Sequence, residues 1–185
     1  MYDHTFSKID YTLNPLEKGE YEQCTFTQCD FSNTDLSKVV FVDCVFKECN
    51  LSSANINQTA FRDVNFIDCK MIGLHFEYCN EFLLSMNFEN CVLDLSIFYN
   101  RKLKNTSFIK CSLKEVDFTD CELKGSIFSD SDLHRAIFEN TNLESADFSS
   151  AYNFNINPDI NLIKKAKFSL NGLPGLLTKY DILIS

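Results

Sequence analysis

From Phe88 to Phe148 every fifth residue is Phe or Leu, and the two types alternate without a miss. The series runs Phe88, Leu93, Phe98, Leu103, Phe108, Leu113, Phe118, Leu123, Phe128, Leu133, Phe138, Leu143, Phe148. A helix repeats its buried face every ~3.6 residues and a strand every ~2. A period of five fits neither, so the chain must wind as a solenoid of stacked coils. The same phase runs through Tyr21, Phe26, Phe31, Leu36, Phe41, Phe46, Leu51, Ile56, Phe61, Phe66, Met71 and Phe76. With the central residue at i, position i−2 is small or apolar, i−1 is often Asp or Asn, and i+1 and i+2 are mostly polar.

Two inward residues in five, with one outward residue between them, describe a short extended side followed by a turn. Four such sides close a square coil, so the sequence is best read at a period of twenty. Phe26, Phe46 and Phe66 then share a column, as do Phe41 and Phe61; further on, 88/108/128/148 and 98/118/138 share columns with Leu between them. The expectation is that rings fill opposite sides and branched residues the other two. At a strand-like spacing of ~4.8 Å, about seven coils over Tyr21–Asn153 give a rod ~33 Å long.

Two places break the phase. Phe76 plus five is Glu81, which cannot occupy a packed interior; Leu83 is the next good centre, so two residues are inserted between about Glu77 and Phe82. A bulge or kink dividing the rod is expected there. Arg101 occupies an i−2 position. Either the coil bulges at Asn100-Arg101-Lys102 or the guanidinium escapes at a corner, and the bulge is favoured.

The ends are weaker. Phe6, Tyr11, Leu16 and Tyr21 keep the spacing, but Asn14-Pro15 and Gly19 interrupt it. The chain thus divides into a lead-in or cap (1–20), a first helical segment (21–76), the slip (77–87), a second segment (88–153) and a C-terminal cap and dimerisation segment (154–185). In the last, Asn157-Pro158-Asp159 and Asn171-Gly172 read as turns and Ala166, Phe168, Leu170 as a short strand. Leu173, Leu176, Leu177 and Tyr180 fall on one helical face. That stripe either packs on the last coil, as a solenoid end requires, or forms a two-fold interface. Ile182, Leu183 and Ile184 make an apolar end that wants a partner.

The net charge is −9. Residues 1–156 carry 24 acidic and 13 basic side chains, and 157–185 carry 2 and 4. Binding to nucleic acid or to anionic lipid needs a basic surface, so a basic protein surface is the better partner. The densest acidic stretch is Glu115, Asp117, Asp120, Glu122, Asp130, Asp132, Glu139, Glu144 and Asp147. Some i−1 carboxylates should only brace turns by accepting local N–H groups. No apolar leader follows Met1-Tyr2-Asp3-His4 and no stretch is long enough to span a bilayer, so a cytoplasmic location with reduced thiols is predicted.

All nine cysteines, 24, 29, 44, 49, 69, 79, 91, 111 and 121, sit at i−2, as small interior fillers would. A metal site from Cys24, Cys29, Cys44 and Cys49 is weighed and set aside for want of a CxxC spacing. The three His, His4, His75 and His134, have no nucleophile and acid at a usable spacing, and a regular rod offers no catalytic cleft. No enzyme activity, cofactor or metal is expected.

Ser145-Ala146-Asp147-Phe148 and Ser53-Ala54-Asn55-Ile56 resemble the A(D/N)Lxx motif of pentapeptide repeat proteins, over roughly residues 21–153. The resemblance implies an all-β, right-handed quadrilateral β-helix. Phe-rich repeats, the central slip, Ala151-Tyr152-Asn153-Phe154, Lys164-Lys165-Ala166-Lys167-Phe168 and a leucine-rich last helix are similar to the quinolone-resistance (Qnr-type) branch. That resemblance implies a homodimer joined through its C-terminal segment that imitates DNA, binds DNA gyrase or topoisomerase IV and confers quinolone tolerance. Members with long protruding loops use them in drug protection, and here the phase leaves room only for the slip. A protein-interaction scaffold with another partner is the alternative.

Overall fold

A computed structural model describes residues 1–183; Ile184, expected in the apolar end, lies outside the described residues. The backbone winds into a quadrilateral β-helix of about 8 coils with one short helix near the C-terminus. Register is set by pairs twenty apart, such as Thr5↔Thr25, Tyr21↔Phe41 and Val45↔Asn65. Coils pair in parallel on all four sides, through a six-stranded and a three-stranded sheet and a series of isolated bridges. At ~4.8 Å per coil the rod is about 38 Å long, one coil more than the repeat count suggested. The added coil comes from the ends. Residues 1–20, expected as a lead-in, pair with the next coil at Tyr2↔Glu22 and Asp10↔Asp30, and bury Tyr11 and Leu16.

Most corners turn through the i+2 residue, which is left-handed at Gln23 (φ 54°), Asn90 (φ 53°) and Lys165 (φ 60°) among others. Most of these residues have a side chain, and the conformation costs each roughly 1–2 kcal/mol. The turn places their N–H groups on the next coil, which offsets that cost: Gln23 donates to the Val42 carbonyl at 2.9 Å and Asn33 to Ser52 at 3.0 Å. The preceding Asp or Asn braces the same turn, as expected. Asp30 Oδ1 accepts from the Ser32 N–H at 2.8 Å and Asp35 Oδ1 from Ser37 at 3.0 Å.

Along the first side Phe6, Phe26, Phe46, Phe66, Phe88, Phe108, Phe128, Phe148 and Phe168 form one continuous stack with centroids 4.6–5.4 Å apart. The second side carries Tyr11 and Phe31, then Leu51, Met71, Leu93, Leu113 and Leu133. The third carries Leu16, Leu36 and Ile56 before Phe76, Phe98, Phe118 and Phe138. The fourth carries Tyr21, Phe41 and Phe61, then Leu103, Leu123 and Leu143. In the second half the rings are thus confined to two opposite sides, the first and third. In the first half they occupy neighbouring sides and meet edge to face, Phe41 and Phe46 at 5.1 Å and 79°.

The slip differs from expectation in its detail. The first-side sheet runs across it, pairing Val64–Ile67 with Met86–Glu89 at an offset of twenty-two. The two extra residues are extruded on the fourth side, within Glu81–Leu84, after Asn80 has kept its regular bond to the Thr59 carbonyl and before Ser85 donates to Phe61. Leu83, expected as a core centre, is 65% exposed, Phe82 is exposed beside it, and Leu84 leans on the core instead. The Arg101 bulge is also not found. Lys102 pairs with Glu122 in the regular register, and the guanidinium leaves through the gap that the slip opens.

Replacing Phe108 by Ala should cost about 3–5 kcal/mol, because the stack above and below holds the cavity open. Leu83→Ala should change stability by no more than about 0.5 kcal/mol. Urea denaturation of both variants checks this; a large loss at Leu83 would place it in the core after all.

Candidate protein-interaction surface

The nine carboxylates of the acidic stretch are contiguous in sequence but are spread by the coil over all four sides. Four are neutralised by bases one coil away. Glu115 meets Arg135 at 3.8 Å, Asp132 meets Lys114 at 3.5 Å, Glu144 meets Lys124 at 2.7 Å and Asp147 meets Lys167 at 3.0 Å. The Lys124 hydrogen bond, helped by Lys164 and Lys165, holds the Glu144 carboxyl below its usual range. The Ser149 hydroxyl and amide, then Lys167, do the same for Asp147. Three also brace turns: Asp117 Oδ1 accepts from Thr119 N–H at 2.8 Å, Asp132 from His134 at 3.1 Å and Asp147 from Ser149 at 3.0 Å. Glu122 is half-buried, and its Oε1 has no hydrogen-bond partner among the described residues.

Asp117, Asp120 and Glu139 are brought together. They occupy the third side and its corner in two successive coils, with Asp117 bridged to Ile137 and the Asp120 N–H on the Glu139 carbonyl at 2.8 Å. Asp130 stands apart on a corner of the first side. None of Asp117, Asp120, Asp130 and Glu139 has a basic side chain within 4.0 Å among the described residues. The fourth side of the same coils has the opposite sense: Lys102, Lys104, Lys124, Lys164 and Lys165 outnumber Glu122 and Glu144. This sidedness was not read from the sequence, though sorting outward residues at a period of twenty would have exposed it.

The C-terminal segment adds a last partial coil. Asn142 pairs with Leu162, Asp147 with Lys167, and Phe168 stacks on Phe148. The chain then folds over the open end, where Ile156 N–H donates to the Gly175 carbonyl at 2.9 Å. A Cβ on Gly175 would lie 2.4 Å from the Phe154 carbonyl oxygen, so the close approach requires glycine. The expected helix is one turn, Pro174–Leu177, followed by a 3-10 turn, Thr178–Tyr180. The tightening splits the predicted stripe. Leu176 packs on the core and Leu177 is half-buried, while Leu173 and Tyr180 face outward with Leu170 and Ile182.

A family model described as "Pentapeptide repeat region" matches residues 20–82 and 75–148. The chain belongs to the pentapeptide repeat family. No curated protein matches the sequence. Among solved structures it is similar to a trypsin-treated variant of QnrB1, a plasmid-mediated fluoroquinolone resistance protein, at 16% identity and a TM-score of 0.78, over 100% of this chain and 91% of that one. A second trypsin-treated QnrB1 variant aligns at 18% identity and TM-score 0.67, over 100% and 99% of the two chains. Full-length QnrB1 aligns at 19% identity and TM-score 0.50, over 98% and 99%. At these identities the likeness is one of fold, the right-handed quadrilateral β-helix of pentapeptide repeat proteins. No helix among the described residues is long and apolar enough to cross a membrane.

In this pentapeptide repeat rod the i−2 thiols do more than fill space. Cys49 Sγ donates to the Phe26 carbonyl at 3.3 Å, Cys69 to Phe46 at 3.4 Å and Cys121 to Phe98 at 3.0 Å. Ser126 and Thr141 make the same bond to Leu103 and Phe118, at 2.7 and 2.8 Å. Position i−2 therefore takes either a small donor that bonds the main chain or an apolar filler such as Val39, Ala54 or Val116. Cys24, Cys29, Cys44 and Cys49 each donate in this way to a main-chain carbonyl. Burial pushes Cys44 up to about 11 and Cys121 up to about 12. An unfolded thiol ionises from about pH 8.5. The folded state thus keeps protons that the unfolded state loses, and the stabilisation, complete below that pH, is lost as pH rises through the folded values.

The urea midpoint should hold steady from pH 7 to about 8.5 and then fall by up to about 1.4 kcal/mol per pH unit for each such thiol. Cys121→Ser keeps a donor without an ionisable thiol and should flatten the decline; a slope identical to that of the parent would remove the thiols as its cause.

Proposed function

We propose that this protein acts by binding, not catalysis, and that its partner is the DNA-binding surface of a type II topoisomerase, DNA gyrase or topoisomerase IV. The observation that carries this reading is an acidic rod of duplex-like regularity. Its first 156 residues bring 24 acidic and 13 basic side chains onto a straight stack of coils. Over about 38 Å that is one net charge per ~3.5 Å, against one per ~1.7 Å for duplex DNA. Charge density alone is half that of DNA, so local placement must supply the rest. Asp117, Asp120 and Glu139 on the third side are the unpaired acids that meet the basic partner, and long-range attraction steers the encounter. QnrB1, whose fold this chain shares, is a fluoroquinolone resistance protein. The reading extends to this chain a protective competition with DNA at the drug-sensitive enzyme.

The same reading makes the protein a homodimer joined at the C-terminal end. Exposed Leu173 and Tyr180, with Leu170 and Ile182 beside them, present an apolar surface that a two-fold axis would cover. Leu176 and Leu177 support that surface from beneath. The dimer would be a rod of twice the length with its acidic third sides displayed on both arms.

Purified protein at micromolar concentration should alter gyrase supercoiling or restore it in the presence of ciprofloxacin. Asp117→Asn, Asp120→Asn and Glu139→Gln combined should weaken the effect roughly tenfold, while Glu115→Gln and Glu144→Gln together should leave it nearly unchanged. No effect of the parent protein on supercoiling, with or without drug, would discard the reading. Light scattering on a sizing column should give a dimer mass that Leu173→Glu with Tyr180→Glu converts to a monomer. A monomeric parent would refute the two-fold interface independently of the enzyme assay.

A further inference from the structure

One outward row of the rod is apolar between polar neighbours. On the third side, the coil of Phe88 to Leu103 turns Leu95, Ile97 and Tyr99 outward. The coil below has Gly73, His75 and Glu77 at those positions, and the coil above has Glu115, Asp117 and Thr119. Bridges from His75 to Ile97 and from Ile97 to Asp117 fix the three rows as neighbours. Leu95 is 55% exposed and Tyr99 46%, with Ile97 half-buried between them. Tyr78, exposed at the corner one coil below and stacked on His75, extends the patch.

The backbone makes this placement costly. Left-handed corners suit Asn, Asp and Gly, and a Leu there gains nothing locally. Leu83 and Leu95 are the two apolar residues among the left-handed non-Gly positions described, and Leu83 belongs to the extruded segment, where the phase is already lost. Leu95 sits in regular register, its N–H on the Lys114 carbonyl at 2.9 Å. A regular corner calls for a polar residue; an apolar one answers to something outside the chain. A contiguous exposed apolar patch that contains tyrosines and is rimmed by polar residues marks an interaction site.

The surroundings state what covers it. Asp117 and Asp120 stand one coil above the row and Glu139 two coils above, none with a base within 4.0 Å among the described residues. Such acids repel an anionic lipid surface and attract lysine or arginine. A second copy has little to offer them from its own third side, because Arg135 there is held by Glu115 at 3.8 Å. Successive rows lie ~4.8 Å apart. On an α-helix, residues three or four apart stand ~5–6 Å from one another, and a step of seven advances ~10.5 Å, close to two coils. An apolar residue over Ile97 and Tyr99 therefore brings a base three or four positions on to Asp117 and Asp120, and one seven positions on to Glu139. We propose that the row of Leu95, Ile97 and Tyr99, with its acidic flank, is a docking site for a basic amphipathic helix of a protein partner, laid along the rod axis. This rests on the reading of the third-side acids as partner contacts, and adds the apolar anchor and the helical form of what meets them.

The probe is a fluorescein-labelled peptide helix in which leucine is followed by lysine at the fourth and seventh positions after it. Its anisotropy, titrated with the full chain, should report saturable binding with a Kd near or below ~100 μM. A scrambled peptide of equal charge should bind roughly tenfold more weakly or not at all. The helical peptide should lose a similar factor, roughly tenfold, against a protein carrying Leu95→Asn and Tyr99→Asn. Both positions are exposed and Asn suits the left-handed corner, so this variant should fold. Leu13→Asn, at another exposed leucine, is the control and should bind as the parent does. Equal binding of the scrambled peptide, or undiminished binding to the double variant, would overturn the site. So would a dimer mass lost in that variant with peptide binding unchanged, which would give the row to a second copy. Supercoiling measured on the same proteins separates the two readings. A parent inactive on gyrase that binds the peptide as expected discards the topoisomerase and keeps the site; an active parent that fails the peptide comparison discards the site and keeps the enzyme as partner.

Discussion

Everything in this molecule depends on each coil repeating the one beneath it at a spacing of twenty residues. That identity of register lets like side chains stack on like, so the nine rings from Phe6 to Phe168 run the length of the rod as one column. It also keeps main-chain donors opposite acceptors on all four sides, although few residues belong to a conventional strand of any length. The interior is narrow enough that two inward positions per side, one large and one small, fill it completely. A coil alone would bury nothing; its core exists only where a neighbour lies above or below.

The winding has an electrostatic consequence. A linear run of acids is distributed around the circumference, and residues twenty apart become immediate neighbours. Lys124 thereby reaches Glu144, and Lys167 reaches Asp147, although each pair is remote in sequence. What looks in one dimension like a uniformly acidic stretch becomes in three dimensions an acidic third side next to a basic fourth side. The exposed charge of the rod is therefore sorted by side, with the unpaired carboxylates Asp117, Asp120 and Glu139 localised on one flank.

Much of the fold was legible because the repeat is strict. Column membership, the burial of every cysteine and the turn-bracing role of the i−1 carboxylates all follow from phase alone. Less was legible where a residue had to be placed against something outside its own five. Leu83 has the identity of a core residue, but the extra residues carry its backbone outward, and only Leu84 can reach back. Arg101 demands a bulge when judged by its small counterparts at i−2; the gap opened one coil earlier, at Glu81, gives the guanidinium a way out. The apolar stripe at 173–180 assumed an uninterrupted helix, whereas tightening after Leu177 turns Tyr180 away from Leu176. The sidedness of the acidic stretch was hidden for the same reason, since it depends on partners twenty residues distant.

The extrusion at Glu81–Leu84 also limits how such a chain can change length. Whole-coil gains or losses, twenty residues at a time, would preserve every column and merely lengthen or shorten the spring. Any other increment throws the remaining sequence out of phase unless the surplus is expelled at a single place and the original alignment resumed. Expulsion leaves a gap in the wall, and whatever side chain lies beside that gap acquires freedom its counterparts lack. Variation in length and the appearance of a recess are thus one event, and in a lineage of these rods such irregularities are the natural birthplaces of new chemistry.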